Sequence, residues 1–406
     1  MTAEQRFERE LPEILADLYP VFVPDYRNDL VRQIAATRQR PAWALPERWI
    51  PVTALALGRP VRPIPWRTIG VVALLLVAIA AAMIIAGGSQ RRLPAPFGPA
   101  ANGQLVLAED GDIFLVDPAT GEETLAIGGP ASDTEPIFSR DGTQMAFFRE
   151  ADGARSLWLA DDRGGAPREL STDGLIDFSQ IEWSPDGESI LLTTWVPGTT
   201  APAIVPTDGS PAHVIALDMP AENPIWLTSG EEILFRGTAS TGFGLFAIRP
   251  DGTDIRPIVP ATGASEWDAL FFGVSPDGSQ IAYQWRPTAA ETMKIYVTAA
   301  SDGTPRPITE VESVFPVWSP DGTWIAFWSD DGIYIVRADG TTSERRVAPK
   351  TKGGASIRWS PDGGRLLFAP SDQANHLLLD PLGGPDETAP WSSTAFPDWQ
   401  RLAVTP

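Results

Sequence analysis

The chain has 406 residues, 43% hydrophobic and 20% charged, with 40 prolines, 36 glycines and no cysteine. Single cores stop growing at about 250–300 residues, so more than one unit is expected, and the absent thiol excludes disulfides, zinc–thiolate sites, iron–sulfur clusters and cysteine nucleophiles. The net charge of −21 is uneven: residues 1–67 hold ten arginines and eight acidic residues, the rest 21 basic and 44 acidic, a field that repels nucleic acid phosphates.

Residues 1–67 read as a cytoplasmic helical tail followed by a Pro-rich juxtamembrane stretch. Helical patterns cover 4–18 and 25–40; in the second, Tyr26, Leu30, Val31 and Ile34 share one side, near helical spacing. Asp25 is placed to cap that helix and Pro41 to stop it. Six prolines between 41 and 66 preclude a further long helix. The tail reads either as solvated chain or as a docking element, residues 1–40, for a cytoplasmic protein. Short helices ahead of one span resemble the layout of membrane anti-sigma factors. The His/Cys zinc motif of the zinc-containing members is absent, so that resemblance carries over no residue.

Residues 68–87 are predicted to be a transmembrane helix. Thr68 to Ala86 is 19 residues without a charge, and about 20 apolar residues cross a bilayer core. A buried soluble helix would keep a polar face, which this segment lacks. Arg48, Arg59, Arg62 and Arg67 precede it, whereas only Arg91 and Arg92 follow closely. The positive-inside bias therefore puts the N-terminus in the cytoplasm and the acidic bulk outside the cell membrane. Trp66 suits the interfacial belt. Residues 88–100 form a linker, with a Pro-rich stalk at Leu93–Ala100.

From residue 101 to 406 one pattern recurs. A hydrophobic run ends in Phe138, Trp183, Trp226, Val274, Trp318 or Trp359, then a tight turn follows, then an alternating strand. The turn is S-[PR]-D-G in five copies, with Asp141–Gly142, Asp186–Gly187, Asp277–Gly278, Asp321–Gly322 and Asp362–Gly363 as turn residues; the copy at 227–230 is LTSG. Proline fixes φ at the first central position, Asp tolerates the second, and Gly takes positive φ. After the turn, Met145/Phe147, Ile190/Leu192, Ile233/Phe235, Ile281/Tyr283, Ile325/Phe327 and Leu366/Phe368 follow a period of two, read as a strand with one buried face. Third strands (156–161, 244–250, 294–300, 332–338) and short fourth strands (167–172, 305–310) complete each unit. Four strands per period of about 44 residues is propeller-blade spacing.

These turns and their spacing resemble the TolB-type, WD40-like (PD40) β-propeller repeat. The resemblance implies an all-β, seven-bladed propeller over 101–406, with six blades open if one copy is irregular. Trp399, in AFPDWQR, matches the inner-strand tryptophans. It supplies a last inner strand that should join strands at 103–129 in one shared blade and close the ring. Trp183, Trp226, Trp318, Trp359 and Trp399 are the expected structural core.

No nucleophile elbow, P-loop or dinucleotide fingerprint occurs. His213 and His376 read as surface or packing residues on outer strands. The pairs Asp161–Asp162, Glu231–Glu232 and Asp330–Asp331, and the group Glu109–Asp110–Asp112, read as solvated hairpin tips without calcium-loop spacing. The expectation is a non-enzymatic membrane protein, with no cofactor and no metal, that presents an extracytoplasmic propeller to a protein or glycan partner. A transmembrane regulator with the propeller as sensor is the alternative from the signalling class. A propeller hydrolase or lyase is the third.

Overall fold

The computed structural model describes residues 93–404 apart from 264–267, 269–270, 302, 350–354, 371–374 and 394. The tail helices and the segment at 68–86 lie outside the described residues. Among the described residues no helix is long and apolar enough to cross a membrane.

The described chain is 28 strands in seven antiparallel four-stranded sheets. It opens with β1 (Ala101–Glu109), β2 (Asp112–Val116) and β3 (Glu123–Ile127). Blade 1 is β4 (Ser132–Phe138), β5 (Gln144–Ala151), β6 (Ala154–Asp161) and β7 (Arg168–Glu169). Blade 2 is β8 (Ile176–Trp183), β9 (Ser189–Val196), β10 (Thr199–Pro206) and β11 (His213–Val214). Blade 3 is β12 (Ala221–Trp226), β13 (Ile233–Ala239), β14 (Gly242–Ile248) and β15 (Arg256–Gly263). Blade 4 is β16 (Phe272–Val274), β17 (Gln280–Trp285), β18 (Lys294–Ala299) and β19 (Arg306–Pro307). Blade 5 is β20 (Val314–Trp318), β21 (Trp324–Ser329), β22 (Gly332–Arg337) and β23 (Arg345–Pro349). Blade 6 is β24 (Ala355–Trp359), β25 (Leu366–Pro370), β26 (Asn375–Leu379) and β27 (Glu387–Ser392). The last strand, β28 (Asp398–Leu402), returns to pair with β1, so blade 7 is ordered β28-β1-β2-β3. Its register sets Leu105 against Trp399 and Ala101 against Leu402.

The fold is therefore a seven-bladed propeller, closed by a blade that both ends of the ring share. Seven hydrophobic clusters fill the seven gaps between neighbouring blades. One joins blades 1 and 2 through Phe148, Leu157, Trp183 and Leu192. Another joins blades 6 and 7 through Leu367, Trp391, Leu105 and Trp399, and another joins blades 7 and 1 through Ile113, Leu115, Met145 and Phe147.

This layout corrects one expectation. The strand after each turn was read as having one buried face, but both faces are buried. Met145, Ala146, Phe147 and Phe148 are all fully buried. Phe147 faces the gap to blade 7 and Phe148 the gap to blade 2. Stacked blades cover each other, so alternate side chains enter alternate gaps rather than core and water.

Candidate functional site

The repeat turns form one face of the ring. Each closes by a hydrogen bond from the glycine N–H to the carbonyl three residues earlier, as from Gly142 to Ser139 at 2.8 Å and from Gly322 to Ser319 at 2.9 Å. The glycines hold positive φ: Gly142 +69°, Gly187 +73°, Gly278 +74°, Gly322 +70° and Gly363 +74°. The aspartate carboxylates bind within the turn. In all five copies the first serine hydroxyl (Ser139, Ser184, Ser275, Ser319, Ser360) donates to the Asp at 2.6 Å. The same oxygen accepts the N–H two residues on, as from Thr143 to Asp141, Glu188 to Asp186, and Gly364 to Asp362. In blade 4 the Ser275 hydroxyl and then the Ser279 N–H hold the Asp277 carboxyl below its usual range. The serine oxygen in turn accepts an N–H five residues on, such as that of Trp324. The first serine is thus as much part of the motif as the aspartate, a role that propensity reasoning about Pro, Asp and Gly missed.

The inner-strand tryptophans fall into two sets. Trp183, Trp318 and Trp359 donate their indole N–H to a carbonyl of the preceding blade: Ile137 (3.2 Å), Gly273 (3.0 Å) and Val317 (3.1 Å). Trp226 and Trp399 are equally buried, at 7% and 6% exposure, yet their indole nitrogens have no acceptor among the described residues. The residue corresponding to Ile137, Gly273 and Val317 in the blade before each of these two is charged: Glu182 and Arg358.

On the turn face the central channel opens into a cavity of about 580 Å³, walled by inner-strand residues of all seven blades. Arg140, Glu182, Arg358, Asp398 and Arg401 lie in its wall. Arg140 pairs with Glu182, and Arg358 with Asp398. The other Asp398 oxygen accepts the buried Phe138 N–H at 2.8 Å, which ties the closing strand to blade 1. Arg401 donates to the carbonyls of Ala95 (3.1 Å) and Gly98 (2.7 Å), while its Nε is buried without an acceptor. Channel walls surround the Arg358 guanidinium although 34% of the side chain remains open to channel water. This burial pushes it down to about 10; the like charge of Arg140 adds to the shift and Glu182 opposes it. Burial, then Arg140, likewise pushes Arg401 down to about 10. Both remain cations at neutral pH, but cations that the site disfavours.

Residues 93–100, read as a Pro-rich stalk, make contacts at this mouth. The Ala100 N–H donates to the Pro361 carbonyl at 2.8 Å. The Arg140 guanidinium lies 4.9 Å from the centre of the Phe97 ring. Pro96, Phe97 and Gly98 form part of the cavity wall.

The charged residues were not singled out in the sequence, although the repeat marks them. Just before the inner-strand aromatic stand Ile137, Glu182, Ile225, Gly273, Val317, Arg358 and Asp398; two residues after it stand Arg140, Pro185, Thr228, Pro276, Pro320, Pro361 and Arg401. The five charges are the departures from pattern, and they fall on blades 6, 7, 1 and 2. Blades 3 to 5 supply Ile225, Phe272 and Val317 instead. The cavity is charged on one side and apolar on the other.

Elsewhere, His213 is exposed on the outer strand β11. His376 is a packing residue, on the third strand of blade 6 rather than an outer one: it is buried on β26, and its Nδ1 accepts the Trp391 indole N–H at 3.0 Å. Among the described residues no three His, Asp or Glu converge to hold a metal ion.

No family model matches the chain. Over 83 residues, 20% of this chain and 12% of the other, it is 37% identical to the "Uncharacterized peptidase YuxL" of Bacillus subtilis (strain 168). Over 146 residues it is 30% identical to a "Protein TolB homolog" of Chlorobium luteolum, covering 34% of this chain and 31% of the other. The chain thus spans less than a third of the length of either curated relative. An oligogalacturonate lyase from Vibrio parahaemolyticus shares the fold with a TM-score of 0.53 at 14% identity, over 69% of this chain and 89% of that one. These findings overturn the expectation that the chain is not an enzyme. That expectation rested on the missing nucleophile elbow, P-loop and dinucleotide fingerprint, yet this fold makes up most of a lyase, and an 83-residue stretch of the chain is 37% identical to a protein named as an uncharacterized peptidase. The propeller does not exclude catalysis.

Proposed function

We propose, from a propeller whose repeats are of the TolB type, that this chain is a single-pass membrane protein whose extracytoplasmic propeller binds a segment of another protein at the turn-face mouth of its channel. The observation that carries the reading is the cavity of about 580 Å³ with one charged and one apolar side, walled by all seven blades. A ring of blades holds such a wall rigid, so little ordering cost falls on binding. The mouth already accommodates a bent segment of this chain, Pro96–Gly98. The anchor rests on the uncharged stretch 68–86 and the arginines before it.

Two measurements test the reading. The chain has no cysteine, so single cysteines report topology cleanly. A membrane-impermeant maleimide applied to intact cells, after removal of any wall, should label Ala119→Cys and spare Gln39→Cys; the reverse pattern would invert the orientation. A photoactivatable phenylalanine analogue at Phe272, in the cavity wall, should give a discrete protein adduct in native membranes. The same analogue at Phe315, 38% exposed and three residues before Trp318 on the strand end away from the turn, should not. An adduct only from Phe315 would move the binding face to the other end of the channel.

A further inference from the structure

We propose that the channel mouth is an oxyanion site: Arg140, Arg358 and Arg401 receive a carboxylate of a ligand whose apolar body lies against Ile225, Phe272 and Val317. The inference rests on the reading that this cavity is the binding site, and adds the chemistry of what it holds.

Three observations support it. First, three guanidiniums face two carboxylates in the cavity wall, within a chain of net charge −21. Arg140 and Arg358 have carboxylate partners; among the described residues Arg401 has only neutral carbonyls, and its Nε has no acceptor. Second, the indole N–H groups of Trp226 and Trp399, buried in the same wall, also lack acceptors. A buried donor left unmade is costly, and the unpaired buried polar atoms of this wall, those of Trp226, Trp399 and Arg401, are all donors. Third, burial and the mutual repulsion of Arg140 with Arg358 and with Arg401 disfavour the two latter cations. An anion between them would offset both effects, and a planar carboxylate matches the guanidinium fork.

The carbonyls of Ala95 and Gly98 now take the Arg401 Nη2 bonds. A carboxylate on Arg401 would replace them and loosen residues 95–98. The apolar side explains why a bare inorganic anion would be a poor ligand: it would leave Ile225 and Phe272 uncovered.

The test is a titration of the full chain in detergent, followed by tryptophan fluorescence. Trp183, Trp226, Trp318, Trp359 and Trp399 all line the cavity. N-acetylphenylalanine presents a terminal carboxylate, and N-acetylphenylalaninamide is its neutral match. N-acetylaspartate N-methylamide presents a side-chain carboxylate instead. The acid should bind at least about tenfold more tightly than the amide, the loss expected for one charge-assisted contact. Whichever of the two acids binds more tightly identifies the source of the carboxylate. Arg401→Met should abolish the preference for the acid. Glu182→Gln, which removes a competing anion from a half-buried position, should widen it, a sign that a structural role would not produce. This variant also keeps the test intact if Arg401→Met fails to fold. Equal affinity for acid and amide, no binding of any probe, or a narrowed preference in Glu182→Gln would overturn the proposal. Equal affinity together with retained cross-linking at Phe272 would leave the protein-binding reading standing. A clear acid preference without any protein adduct would do the opposite.

Discussion

Replacing Trp399 by alanine probes the ring where it closes. The side chain is 6% exposed and packs with Leu105, Leu107, Leu367 and Trp391 in the gap between blades 6 and 7. Truncating a buried aromatic costs about 3–5 kcal/mol, against roughly 5–15 kcal/mol for a typical domain. Its indole N–H has no acceptor, so no hydrogen bond adds to that figure. Trp183, 1% exposed, is the control, because its indole donates to Ile137 across the gap between blades 1 and 2. Replacing each by phenylalanine separates the two contributions. The volume loss is common to both, whereas the hydrogen bond, worth about 1 kcal/mol net, is lost only at Trp183. At about 2–4 °C per kcal/mol for a domain approaching this size, Trp399→Ala should lower the melting temperature by roughly 10 °C. Trp183→Phe should melt about 2–4 °C below Trp399→Phe. The assay is thermal unfolding of the full chain followed by circular dichroism. An unchanged melting temperature in Trp399→Ala would mean that β28 does not hold the ring shut. Equal losses for the two phenylalanine variants would refute the division of the tryptophans by their hydrogen bonds.

Gly142 and Gly187 share positive φ, but a Cβ at Gly142 would lie 2.2 Å from the Arg401 carbonyl, whereas one at Gly187 meets nothing within 4 Å; Gly142→Ala should therefore lower the urea midpoint well beyond the strain of about 1 kcal/mol that Gly187→Ala incurs. Asp133, 1% exposed, is bidentate to Arg149 at 2.6 and 2.7 Å; Asp133→Ala should cost about 3–5 kcal/mol by stranding the guanidinium, and adding Arg149→Met should recover much of it in the same denaturation assay. Burial depresses the His376 pKa in the fold, partly offset by its hydrogen bond with Ser393. The unfolded chain then takes up the proton first, so this stability is present above about pH 6.5 and is lost as pH falls through the folded value. Melting curves between pH 8 and 5 should show that acid loss, and His376→Gln should flatten it; an unchanged slope would show that the Trp391–His376 bond does not titrate.

Much of the propeller was legible because it repeats. The turn motif, the aromatic before it and the short third and fourth strands place most blades, and Trp399 identifies the closing strand from its match to Trp318 and Trp359. What could not be read was the number of buried faces. The runs Met145–Phe148 and Leu366–Ala369 are apolar at every position, which is the mark of a strand covered on both sides, but the period-of-two template hides it. The serine network of the turns was missed because propensities describe backbone preference and not side-chain bonds such as Ser319 to Asp321. The site was missed for a different reason. Its charges are exceptions to the repeat, at Arg140, Glu182, Arg358, Asp398 and Arg401, and a search for the shared pattern discards them. Only closure of the ring brings Arg140, in the turn between β4 and β5, and Arg401, on the last strand, into one wall.

The central claim, that the turn-face mouth is occupied by a partner in the membrane, is tested most directly by Val317→Cys. Val317 lines the cavity, the change is close to isosteric, and the chain offers no competing thiol. The rate of maleimide labelling should be compared between native membranes and the purified full chain. Rapid labelling of the purified protein with clear protection in membranes is the predicted result. Equal rates in both would contradict it.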